Sequence, residues 1–70
     1  MEKIWKIDVQ GENGYSFAIQ GELEEEADAI NEASLCGLFD DERDASYATA
    51  EDITDDEYEL EYWKNDIVRV

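Results

Sequence analysis

Histidine is absent from this 70-residue chain, and cysteine and the basic residues are scarce. Without histidine there is no imidazole for acid–base catalysis and none for a zinc site. Cys36 is the single cysteine, so no internal disulfide can form and no second thiol completes a zinc or redox motif. A lone free cysteine of this kind is expected in the core. No run of eighteen apolar residues and no signal-peptide core occurs, so a soluble, cytoplasmic protein without membrane contact is expected. Lys and Arg number 5 against 21 Asp and Glu, a formal net charge of −16. So few bases argue against direct binding to DNA or RNA.

What is present is enough for one folded domain. The hydrophobic fraction is 43%, which separates the chain from a disordered acidic tail. A domain this short buries only about 60% of its unfolded surface, so its margin of stability is thin. The charge is segregated. Residues 22–61 hold 17 acids and one base, Arg43, and so carry the whole net charge.

Period-2 patterning marks two strands, at residues 3–10 and 15–20. Trp5, Ile7 and Val9 fall on one face of the first; Tyr15, Phe17 and Ile19 on one face of the second. A two-residue Asn13–Gly14 loop would put these sets on opposite faces. A three-residue loop, Glu12-Asn13-Gly14, pairs Val9 with Phe17 and Ile7 with Ile19, and gives Gly14 the left-handed position.

The period changes over residues 22–36, where a helix is expected. Leu23, Ala27, Ile30 and Ser34 define its buried side, with Glu24, Glu25, Asp28 and Glu32 opposite. Glu22, Glu24 and Glu25 would occupy the first turn, where carboxylates favour the helix dipole. Gly37 fits the residue past the end, with Leu38 folding back. Residues 39–44 read as an acidic loop, and residues 45–53 as a third strand with Ala45, Tyr47, Thr49 and Ile53 on one parity.

Residues 53–63, ITDDEYELEYW, carry two conflicting signals. Thr54 and Glu57 have capping-box spacing, and Ile53 and Tyr58 the spacing of a hydrophobic staple, which predict a short second helix at 55–64. Tyr58, Leu60 and Tyr62 alternate as in a strand, the alternative reading. Tyr58, Tyr62 and Trp63 are assigned to the core, with partner-docking anchors as the alternative. Residues 67–70 form a final strand. The expected fold is α+β: a small antiparallel sheet packed on one main helix.

The carboxylates lack metal-site order. Neither FDDERDAS nor EDITDDEYE has the Gly and alternating ligands of an EF-hand loop, and no cofactor is expected. A cleft for paired catalytic carboxylates is hard to build in 70 residues, so the chain is read as a non-enzyme. A solvated surface and adaptation to high salt each account for the charge. So does electrostatic imitation of DNA, which carries one negative charge per about 1.7 Å of its axis.

In length, in the acid-rich block Glu22–Glu61 and in its compact α+β pattern, the chain resembles the small acidic DNA-mimic inhibitors made by phages and mobile elements. These include anti-CRISPR and anti-restriction proteins and the uracil-DNA glycosylase inhibitors. The resemblance implies a job: occupying the nucleic-acid-binding surface of a basic host defence protein or complex. The residues expected to face that partner are Glu24, Glu25, Asp28 and Glu32, then Asp40, Asp41, Asp44, Asp55, Asp56 and Glu59. The alternative is an acidic adaptor, or a homo-oligomer subunit pairing through the edge strand 67–70.

Overall fold

The structure, a computed structural model, describes residues 1–12 and 14–70. Its elements in chain order are β1 (Lys3–Val9), β2 (Tyr15–Gly21), α1 (Glu26–Leu35), a 3-10 helix (Glu42–Tyr47), β3 (Ala48–Asp52), α2 (Glu57–Trp63) and β4 (Ile67–Arg69). The four strands form one sheet in the order β3-β1-β2-β4. The fold is α+β as expected. The sheet is mixed rather than antiparallel throughout, because β4 pairs parallel to β2.

The odd residues of both hairpin strands share a face. Trp5, Ile7, Val9 and Ile19 are buried and Tyr15 and Phe17 half-buried. The register is a correction: Val9 pairs with Tyr15 and Ile7 with Phe17, two residues from the expected pairing. A slip of two preserves every side chain's face, so the hydrophobic pattern is equally satisfied by either register. Asn13, centre of the expected turn, lies outside the described residues. Among the described residues of this connection, Gly11 adopts a positive φ (135°). Gly14 has a different requirement, since a Cβ there would stand 2.8 Å from the Val9 carbonyl oxygen.

Helix α1 starts later than expected and is rotated. Glu25 is its N-cap, so Glu22 and Glu24 precede the helix and Glu26 and Asp28 are the acids of its first turn. Ala29 and Ala33 are fully buried, whereas Ala27 and Ser34 are exposed and Ile30 is half-buried. The expected phase was drawn through Leu23, which is buried but lies outside the helix. Two alanines at the contact let the helix backbone approach the sheet closely, over Trp5, Ile7 and Ile19 in one cluster. The end of α1 is as expected. Gly37 adopts φ 68°, and the amides of Gly37 and Leu38 donate to the carbonyls of Ser34 and Ala33, at 3.1 and 3.0 Å. Leu38 and Phe39 then pack on the core. Cys36 is exposed at the C-cap, contrary to expectation.

Strand β3 begins at Ala48, and its parity is the reverse of that expected. Ala48 and Ala50 sit opposite Val9 and Ile7 on the α1 face, and Thr49 and Glu51 on the other. As an edge strand it would leave amides unpaired. Glu26 from α1 answers one of them: the Ala50 N–H donates to Glu26 Oε2 at 2.8 Å.

Helix α2 occurs where the capping signals placed a helix, with a different cap. Asp56 accepts from the Glu59 N–H at 3.1 Å. Thr54 instead ties β1 to β3, accepting from the Ile4 N–H at 3.0 Å and donating to Asp52 at 2.6 Å. The staple does not form, since Ile53 is fully buried and Tyr58 is 91% exposed.

Chain topology decides where α2 lies. The crossover from β2 to β3 passes one way across the sheet and that from β3 to β4 passes back. Both connect parallel strands, and right-handed crossovers running in opposite directions must use opposite faces. Accordingly α1 packs on the Trp5–Ile7 face, and Lys6 of the other face meets α2 through Glu59 at 3.0 Å. Ala18, opposite Lys6 in the ladder, is completely buried on that second face.

Candidate partner-binding surface

The expected carboxylates gather at the two ends of the sheet, with α1 running between. At the Lys3 end, Lys3 Nζ lies 3.8 Å from both Glu24 and Asp52. The N-terminal amine lies 2.8 Å from Glu22 and 3.7 Å from Glu24. Hydrogen bonding to Glu22 raises the pKa of that amine. Asp52, Asp55 and Asp56 line an open depression beside Glu57 and Tyr58. Hydrogen bonds from the Thr54 hydroxyl and backbone amide hold the Asp52 carboxyl below its usual value. One base, Lys3, and the N-terminal amine thus face more carboxylates than they can neutralise.

Along α1, Glu25 and Asp28 are exposed and Glu32 is half-buried. Asp28 accepts from the Glu25 N–H at 3.1 Å, one arm of a capping box that no Ser or Thr signalled in the sequence. None of the three has a cation within ion-pair distance among the described residues.

At the Val9 end, Asp40, Asp41 and Asp44 surround Tyr15 and Tyr47 in a cleft of about 510 Å³. The Tyr15 hydroxyl donates to Asp44 Oδ2 at 2.7 Å and accepts from the Asp40 N–H at 2.8 Å. Burial, and then Asp44, push the Tyr15 phenol above its usual pKa. Asp41 caps the 3-10 helix and holds Arg43, whose Nη2 lies 3.2 Å from Oδ2. That partnership lowers the Asp41 pKa and raises that of Arg43.

Two of the expected residues are partly withdrawn from solvent. Glu59 is half-buried against Lys6, and Asp44 is half-buried under Tyr15, so neither is a free solvent-facing charge. The remaining eight lie at the surface: Glu24, Glu25, Asp28, Asp40, Asp41, Asp55 and Asp56 are exposed and Glu32 is partly so.

The aromatic assignment is also corrected. Tyr58 and Tyr62 are 91% and 74% exposed, and only Trp63 is half-buried. Their spacing of four was the signal for a shared helical stripe, masked by the alternation with Glu57, Glu59 and Glu61.

Among the described residues no group of three or more carboxylate, thiol or imidazole side chains is arranged to hold a metal ion. Among the described residues no helix is long and apolar enough to cross a membrane. No protein-family model, curated protein or solved structure matches this chain.

Proposed function

We propose that this protein is a DNA-mimic inhibitor, occupying the duplex-binding surface of a basic host defence complex of the anti-CRISPR or anti-restriction target class. The supporting observation is charge density. The molecule extends 29 × 22 × 17 Å. Duplex DNA of that longest dimension carries about 17 phosphate charges at one per 1.7 Å. The chain carries a formal −16 on a body of that length. The acids occupy both ends of the sheet and the exposed side of α1, a distribution that suits a cleft lined with Lys and Arg. Its action would be in the cytoplasm of an infected cell, without catalysis.

Competition tests this reading. A DNA-binding defence nuclease or surveillance complex is held with labelled duplex, and this protein is titrated in. Displacement of the duplex, weakening steeply with salt, is the expected result. Duplex that stays bound while this protein also binds would point to an adaptor role instead. An adaptor or homo-oligomer has one structural argument. Glu26 blocks part of the β3 edge, whereas β4 presents a three-residue outer edge with Val68 39% exposed.

A further inference from the structure

Helix α2 has an outward face that nothing in the fold explains. Tyr58 and Tyr62 stand one turn apart on it, and Glu57 and Glu61 form a second one-turn pair beside them. A domain with a thin margin of stability leaves two large rings in water. Tyr62 is not free to tumble, for its ring packs edge-on against Trp63 with centroids 4.9 Å apart. Trp63 is half-buried and anchors the pair. Among the described residues, only Lys64 offsets the acids of this face, at 2.9 Å from Glu61.

We infer that the Tyr58–Tyr62 face of α2 docks on arginine side chains of a partner protein. This deepens the reading above, on which it rests, by naming the partner's chemistry. A guanidinium is planar, weakly hydrated and stacks on aromatic faces, and its edge can at the same time pair with a carboxylate. Rings flanked by Glu57 and Glu61 supply both halves of that contact at one-turn spacing. Charge complementarity selects this occupant over a second copy, whose α2 would bring the same carboxylates against these in a molecule of net charge −16. An anionic lipid surface is disfavoured by the same sign of charge.

The test uses the full chain and two labelled nine-residue probe peptides, one of arginine and one of lysine, at fixed ionic strength. Binding is followed by NMR of the tyrosine rings and by fluorescence anisotropy. The expected results are tighter binding of the arginine probe than of the lysine probe, and ring shifts at Tyr58 and Tyr62. A Tyr58→Ala/Tyr62→Ala variant is expected to lose affinity for the arginine probe by about fivefold to thirtyfold, the sum of two exposed cation–π contacts. Tyr58→Phe/Tyr62→Phe keeps both ring faces and should retain it. Tyr58→Ala alone is the control against altered packing of Trp63, and should lose part of the affinity. Equal binding of the two probes, or unchanged affinity in the alanine variants, overturns the inference. Tyrosine-dependent self-association in sedimentation also overturns it, since the occupant would then be a second copy. Failure of the duplex competition above, with the tyrosine dependence intact, would remove DNA mimicry and leave this docking face standing.

Discussion

Lys6 Nζ of β1 lies 3.0 Å from Glu59 Oε2 of α2, and each side chain is only about a quarter exposed, at 23% and 26%. This pair fastens the second helix to the face of the sheet opposite α1. Removing Lys6 strands Glu59 half-buried, whereas removing Glu59 leaves Lys6 with Glu51 at 3.5 Å and Asp8 at 3.8 Å. Lys6→Ala is expected to cost roughly 1–2 kcal/mol, above the range of exposed pairs, and Glu59→Ala less. A double-mutant cycle by denaturant unfolding measures the coupling. The Glu59 carboxylate beside it raises the Lys6 pKa above its ordinary 10.5. The pair's contribution is therefore complete below that ordinary value and lost as pH rises through the folded one. Alkaline melts of the parent should fall more than those of the double variant.

Thr54 and Asp52 give the opposite sign at acid pH. The folded Asp52 pKa lies below its ordinary 3.8, chiefly through the Thr54 side chain and then its amide. Its contribution is present above the ordinary value and lost as pH falls through the folded one. Thr54→Ala removes the hydroxyl and should move the Asp52 titration upward, as read from its carboxylate resonance. An unmoved midpoint would show that the backbone amide alone sets it.

The phase of α1 is testable by adding volume. Ala33 has no exposed surface and Ala27 is exposed. Ala33→Leu should destabilise by about 1–3 kcal/mol through overpacking against the sheet. Ala27→Leu should change stability by no more than about 0.5 kcal/mol. Equal effects in urea unfolding would mean that α1 sits in the phase drawn through Ala27.

Salt should stabilise this domain. Raising ionic strength from 0.01 to 0.15 M shortens the Debye length from about 30 to about 8 Å and screens the mutual repulsion of the excess acids. The melting temperature is expected to rise over that range. A flat or falling value would show that local ion pairs such as Lys3–Asp52 dominate.

Charge reversal tests the proposed function at single residues. On that proposal, Glu25→Lys with Glu32→Lys should abolish binding to a basic partner while circular dichroism stays unchanged. The neutral Glu25→Gln should do much less, as one charge among many is nearly redundant. Glu59→Lys should instead lower stability, because it would place two ammonium groups together at Lys6.

Local features were legible in the sequence because their physical causes are local. Alternation assigned Trp5, Ile7 and Val9 to one face with Phe17 and Ile19, and the Gly37–Leu38 ending of α1 followed from one left-handed residue. Glu25, Asp28, Asp40 and Asp41 were recognisable as surface by charge alone, whereas Asp44 is half-buried under Tyr15. Tertiary structure decided the rest. The hairpin register depended on which rows pack, since patterns two residues apart are equivalent. Ala29 and Ala33 became the contact because the helix must approach the sheet closely, a demand that a period drawn through Leu23 cannot reveal. Opposite crossovers sent α2 to the second face, where Glu59 found Lys6 and left Tyr58 and Tyr62 outside. Periodicity specifies the faces a segment has; only the handed path of the chain specifies which faces meet.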